Sequence, residues 1–202
     1  MPFEIELKAW VDDREAVEKR IDSAASFVAS FEKDDTYWFP VLPVAKQETV
    51  PVSGIRIRRE TISRRNHAPE SLTLATYKTK EIRNGIEVND EKEFAVKAPT
   101  PAGGAFDEDA IAAFKELMER LGLAPGISKK KQGRSWRYGC INVELSSVEK
   151  LGCFLELEIM ADDDKPETVE QARKELLAFL KLAGISEERI ETRYYNEMLR
   201  KH

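Results

Sequence analysis

Apolar and charged residues take turns along Phe3–Trp10. Phe3, Ile5 and Leu7 alternate with Glu4, Glu6 and Lys8. Successive side chains of a strand point to opposite faces. The segment therefore reads as a strand with one apolar and one charged face. The split recurs along the chain. Ile55 and Ile57 oppose Arg56 and Arg58. Thr76 and Lys78 share a face, with Lys80 beyond them. Glu91 and Glu93 oppose Phe94 and Val96, and Arg134 shares a face with Trp136. Asn142 and Glu144 oppose Ile141, Val143 and Leu145, while Leu155, Leu157 and Ile159 oppose Glu156 and Glu158. A chain built this way needs a home for a charged sheet face.

Other elements follow from local signals. Asp12 or Asp13 can cap a helix running to about Val28, with Val17, Ile21 and Ala25 inward. Phe31 to Phe39 reads as a second strand, and residues 40–53 as a loop with three prolines. Ile55–Glu60 is a strand and 61–70 a polar loop. Leu72–Lys80 and Ile86–Val96 flank Asn84-Gly85, a strong hairpin-turn dipeptide. The stretch 97–106 reads as a linker. A helix capped by Asp107 runs to Gly122, with Ile111, Phe114, Leu117, Met118 and Leu121 on one stripe. Strands follow near 128–138, 140–146 and 153–160. A helix starts at Pro166, a favoured first-turn residue, and runs to about Ala183. A last, shorter helix starts at Ser186. This order suits an α+β domain with a mainly antiparallel sheet.

The 202 residues are 42% hydrophobic and 34% charged, enough for a core and a crowd of ions. One domain over 1–202 fits that length. A net charge of -5 argues against a nucleic-acid face. No apolar run is long enough to span a bilayer. Cys140 and Cys153 form no metal or redox spacing, so a reduced, cytoplasmic location is the expectation. His67 and His202, the only histidines, leave little room for zinc or histidine catalysis.

The bland account of the alternation is an open sheet with one solvated face. The sorting of charge by sign argues for more. Glu4/Glu6, Glu156/Glu158 and Arg56/Arg58 come in pairs two residues apart. Carboxylate pairs on neighbouring strands repel unless a cation lies between them. A hard divalent ion with oxygen ligands meets that need. Arginine forks and lysine ammoniums would then face an anion held by the same ion.

Glu4-x-Glu6-x-Lys8 resembles the ExExK signature of the CYTH superfamily, the triphosphate tunnel metalloenzymes. Alone it is a weak signal. It comes with Gly54-Ile55-Arg56-Ile57-Arg58-Arg59-Glu60, Thr76-Tyr77-Lys78, Glu91-Lys92-Glu93 and Leu151-Gly152-Cys153-Phe154-Leu155-Glu156-Leu157-Glu158. The ending Arg193-Tyr194-Tyr195-Asn196-Glu197-Met198-Leu199 is similar to the family's terminal Ser-Tyr-x-x-Leu-Leu element. The elements keep the family order over nearly the whole chain.

The resemblance implies a closed antiparallel β-barrel of about eight strands, with helices packed outside. It implies a triphosphate in the tunnel and Mg²⁺ or Mn²⁺ on glutamates. Glu4, Glu6, Glu156 and Glu158 would ligate metal, with Glu144 where many members carry an aspartate. Lys8, Arg56, Arg58 and Lys78 would contact phosphates, and Glu4, Glu6 and Lys8 would be central to catalysis. Lys129-Lys130-Lys131-Gln132-Gly133-Arg134 matches the family's basic strand. Gln132 stands at the lysine position, leaving Lys130 or Lys131 to replace it beside Arg134. Asn89 stands where members often carry arginine. Glu91 and Glu93 are either tunnel or plain surface charges. Arg59 and Lys80 read as solvated, and Tyr37, Trp38 and Trp136 as packing residues. Tyr195 closes the barrel end or packs the last helix.

Two chemistries share such a site. A class IV adenylyl cyclase turns ATP into cyclic AMP and pyrophosphate. A triphosphatase hydrolyses tripolyphosphate, thiamine triphosphate or a nucleotide at the terminal phosphate. The Gly85–Asp90 and Leu151–Glu158 patterns lean slightly to the cyclase. A polyphosphate- or nucleotide-binding module without turnover is the third reading. The oligomeric state stays open, a homodimer included.

Overall fold

A computed structural model describes residues 3–41, 54–101 and 108–200. Eight strands form the frame: β1 Phe3–Trp10, β2 Ser26–Pro40, β3 Ile55–Ser63, β4 Glu70–Arg83, β5 Ile86–Pro101, β6 Leu123–Tyr138, β7 Ile141–Val148 and β8 Gly152–Ala161. Four helices accompany them: α1 Arg14–Ala24, α2 Glu108–Arg120, α3 Pro166–Leu182 and α4 Tyr195–Leu199. All ladders are antiparallel. They close in the order β1-β5-β4-β3-β2-β6-β7-β8. Closure removes both sheet edges, and the expected barrel is the barrel found.

The barrel is inside out relative to a water-soluble sandwich. Ile5, Leu7 and Ala9 of β1 point outward, as do Val143 and Leu145 of β7 and Leu155 and Leu157 of β8; all are buried. Val17 and Ile21 of α1 and Val169, Ala172, Leu176, Phe179 and Leu180 of α3 cover them. Each fully buried aliphatic side chain contributes about 1.5–3 kcal/mol. The apolar core thus lies between wall and helices, and the charged faces are left to the interior. A second cluster, Trp38, Ile57 and Met118, seats α2 against β2 and β3.

Several boundaries differ from the sequence expectation. α1 is capped by the Asp13 side chain, which accepts from the Ala16 amide at 3.0 Å. It ends at Ala24, and β2 starts at Ser26, not Phe31. The apolar helical stripe stops at Ile21, and Phe27 instead meets Trp136 edge to face across the β2–β6 ladder. β6 starts at Leu123 because β2 runs far enough to pair Pro40 with it. β5 runs into the expected linker, pairing Thr100 with Ser71 and Pro101 with Glu70. Asp107 and most of the 40–53 loop lie outside the described residues. Asn84 and Gly85, at φ 52° and 79°, make the expected tight turn. The expected last helix splits into a 3-10 turn, Glu187–Arg189, and α4.

Candidate functional site

A cavity of about 560 Å³ fills the barrel, within the range of small-molecule sites. Its lining is mostly ionic. Glu4, Glu6, Lys8, Arg56, Arg58, Lys78, Glu91, Glu93, Lys131, Glu144, Glu156 and Glu158 all reach it. The alternation therefore does mark the inner face.

Carboxylates gather where β1 meets its two neighbours. Glu6 stands directly opposite Glu158, and Lys8 opposite Glu156, across the β1–β8 ladder. On the other side Lys78 reaches over β5 towards β1. Its ammonium touches Glu4 closely and lies 3.3 Å from both Glu6 and Glu91. Burial raises the Glu6 carboxyl, but Lys78, Lys80 and Lys8 override it and hold the group at about 2. Glu4 goes the other way. Burial lifts it well above the usual carboxylate range, Lys78 offsets only part, and Glu6, Glu158 and Glu91 add to the rise. One ammonium shared among three acids cannot ionise them equally. Burial and then Glu6 also raise Glu158, whose nearest polar contact is the Asn142 amide at 3.3 Å.

Cations line the facing wall, β2, β3 and β6. Arg58 forks onto Asp35, Nε to Oδ1 at 2.7 Å and Nη2 to Oδ2 at 3.0 Å. Lys129 lies 3.2 Å from the same carboxylate. Arg56 donates to Thr76 at 3.0 Å, Glu91 at 3.2 Å and Glu93 at 3.3 Å. Lys33 pairs with Glu144 at 2.5 Å and Glu60 at 3.7 Å. Lys131 holds Glu144 at 2.8 Å and contacts Glu156 closely. Burial lowers Lys131, and Glu144 and Glu156 more than restore it.

The C-terminal segment lies against the cavity. Lys8 donates to the Arg193 carbonyl at 2.7 Å. The Lys8 and Lys129 ammoniums each sit 4.6 Å from the Tyr195 ring centre. Phe154 packs edge-on to that ring. Tyr195 thus lines the cavity and packs on Phe154.

Two expected phosphate contacts do not face the cavity. Lys130 is exposed on the outer face, because Lys129 and Lys131 pair with Asp35 and Lys33 on the inner one. Arg134 shares the parity of Lys130 and also points out. It pairs with Glu18 and Asp22 of α1 and stacks on Phe27 and Trp136. Lining residues that the sequence reading left without a role include Lys33, Lys129 and Glu87, and Asp35 stands behind Arg58 and Lys129. Lys33/Asp35 and Lys129/Lys131 did carry charges two residues apart, masked by charges on the other face. Lys80 was expected in solvent, yet it reaches the cavity, 3.6 Å from Glu87. Tyr37 also lines the cavity, whereas Trp38 and Trp136 are core, as expected.

The donor set for a metal is all oxygen, which suits a hard divalent cation rather than zinc or copper. Glu6 and Glu158 face each other, and the ammonium on Glu6 is the Lys78 that it shares with Glu4 and Glu91. Beside Glu4, buried Asn89 has no partner for either amide atom among the described residues. These features fit Mg²⁺ or Mn²⁺. Among the described residues, no three acidic side chains already stand close enough to hold a metal.

The family profile described as CYTH domain matches residues 2–195. The chain belongs to the CYTH family. CYTH domains bind triphosphates and are generally divalent-metal dependent. Solved structures share the fold over nearly full length. The PH1819 protein of Pyrococcus horikoshii is 21% identical with a TM-score of 0.73, covering 98% of this chain and 99% of its own. The PH1012 protein of the same organism is 26% identical with a TM-score of 0.68, covering 96% and 98%. A proposed adenylyl cyclase from Hippeastrum with dominant triphosphatase activity is 15% identical with a TM-score of 0.61, covering 100% and 96%. No curated protein matches the chain. No helix among the described residues is long and apolar enough to cross a membrane. Both cysteines of this CYTH chain are free thiols.

Proposed function

We propose that this chain is a divalent-metal-dependent enzyme acting on a triphosphate inside its barrel, and that it hydrolyses the terminal phosphate. The carrying observation is one barrel cavity with carboxylates gathered at β1 and β8 and most of its cations on β2, β3 and β6. Glu4, Glu6, Glu156 and Glu158, with Glu144, would hold Mg²⁺ or Mn²⁺. A bound divalent ion neutralises phosphate oxygens and lowers the pKa of a coordinated water. Lys8, Arg56, Arg58, Lys78 and Lys131 face the phosphates, joined by Lys33 and Lys129. Arginine supplies planar forks and lysine point charges, so the wall fixes the polyanion and stabilises charge on the reacting phosphorus. Glu91 and Glu93 orient Arg56, and Asp35 orients Arg58 and Lys129.

Hydrolysis is favoured over cyclisation by how the aromatic rings at the cavity are engaged. A cyclase must hold a nucleoside so that its 3′-hydroxyl reaches the α-phosphorus. Among the described residues, the three aromatic rings at the cavity already face lysines. Lys129 lies 5.9 Å from the Tyr37 ring, Lys80 4.4 Å from Tyr194, and Lys8 4.6 Å from Tyr195. A base stacking on these faces would compete with the lysines. The Gly85–Asp90 and Leu151–Glu158 patterns keep the class IV cyclase as the second reading.

One experiment separates the readings. Purified protein is offered Mn²⁺ or Mg²⁺ with tripolyphosphate and, separately, ATP, and products are identified. Orthophosphate from tripolyphosphate is the expected result. Cyclic AMP and pyrophosphate from ATP would replace hydrolysis with cyclisation. Tight binding without product would leave a binding module.

A further inference from the structure

Lys78 does more in this structure than wait for a phosphate. Its stem crosses β5, and its ammonium lies among Glu4, Glu6 and Glu91, with 12% of the side chain exposed. Those carboxylates belong to the side of the cavity assigned above to the metal. One ammonium faces three carboxyl groups, and a divalent ion on the same oxygens would bring twice its charge. The other cations are placed differently. Arg56 is tied to Thr76 and Glu93 as well as Glu91. Among the described residues, Lys80 pairs with one acid, Glu87, at 3.6 Å.

We propose that Lys78 stands in for the metal in the ligand-free chain, and that metal binding expels its ammonium into the cavity, where it meets the triphosphate. This rests on the metal-dependent triphosphate reading above. The four-carbon stem is long and flexible, so the ammonium can swing without moving β4. The exchange explains why the candidate ligands do not form a ready-made acidic cluster: a lysine is inserted between them. It also makes metal and triphosphate binding one coupled event. The metal frees a phosphate contact, and by linkage the triphosphate, holding Lys78 away, tightens the metal to the same degree.

The test is Mn²⁺ binding to phosphate-free protein, followed by electron paramagnetic resonance, for wild type, Lys78→Met and Lys80→Met. Lys78→Met should bind Mn²⁺ more tightly than wild type, within the roughly 5–150-fold span of coupled sites. Lys80→Met, which removes an equal charge without vacating the acid cluster, should gain far less. Equal gains would mean a general field effect and would overturn the exchange, as would weaker binding by Lys78→Met. Calorimetry then measures tripolyphosphate with and without Mn²⁺, corrected for their association in solution. Wild type should show the coupling and Lys78→Met should lose it. Should Lys78→Met fail to fold, lysine-selective NMR of wild type during Mg²⁺ titration decides. A Lys78 ammonium that keeps its environment overturns the exchange. Wild type that binds neither Mn²⁺ nor tripolyphosphate sinks the functional reading itself; binding of both without coupling sinks only the exchange.

Discussion

Arg58 and Asp35 are joined by two hydrogen bonds of 2.7 and 3.0 Å, with the Asp35 side chain fully buried. The pair leaves the second terminal nitrogen of Arg58 for the cavity. Breaking a buried pair from one side costs about 3–5 kcal/mol, since the other charge stays buried. Asp35→Asn should therefore unfold at markedly lower urea concentration. The pH dependence follows. Burial pushes Asp35 up, but Arg58 and Lys129 hold it well below the usual carboxylate value. Such a group adds stability above its unfolded pKa of about 3.9, and that contribution drains as pH falls through the lower folded value. Urea midpoints from about pH 6 down to about pH 3 should fall for wild type and be flatter for Asp35→Asn.

Glu6→Ala should abolish metal-dependent turnover, by at least about 100-fold, the scale of losing one electrostatic contact to developing charge. The fold should survive. Glu6 faces Glu158 across the ladder, but its attraction to Lys78, Lys80 and Lys8 outweighs that repulsion, so the Tm should fall modestly. Circular dichroism with a phosphate-release assay checks both halves. Unchanged turnover would remove Glu6 from the ligand set.

Lys131→Ala and Arg134→Ala should part company. Lys131 faces the cavity, and losing a charged hydrogen bond of about 1.5–3 kcal/mol should raise KM for tripolyphosphate. Arg134 serves the seam with α1, where an ion pair contributes about 0–1 kcal/mol. Its variant should keep KM and kcat and lose at most a little Tm. A large KM effect from Arg134→Ala would contradict its outward placement.

Tyr195 packs against Phe154 and under two lysines. Tyr195→Ala should cost about 3–5 kcal/mol, as for other buried aromatics, and weaken triphosphate binding as Lys8 and Lys129 lose their platform. Tyr195→Phe keeps the ring and should stay within about 1.5 kcal/mol of wild type. Denaturant melts and calorimetric titration of both variants make the comparison.

Much of this was legible because polar alternation has one physical outlet here. Glu4, Glu6, Glu156 and Glu158 were readable as inward because Ile5, Leu7, Leu155 and Leu157 needed the helices. Lys33 and Asp35 were not, since Glu32 and Asp34 put charge on the other face too. In the run Lys129-Lys130-Lys131 the inner pair is chosen by register with β2, which no local pattern encodes. Arg134 did carry a usable sign. It shares a face with Trp136, and a tryptophan in the core marks the outer wall. The shared role of Lys78 depends on its reach across a whole strand, which spacing along the chain does not reveal.

Closing β1 against β8 has a consequence in time. Phe3–Trp10 is made early, yet one of its two partners is Gly152–Ala161, and Lys8 finds its carbonyl only at Arg193. Until those segments exist, β1 has an open hydrogen-bonding edge and a row of uncompensated glutamates. Contacts this distant in sequence make for slow folding and an exposed intermediate. The site is thus among the last things the growing chain can assemble.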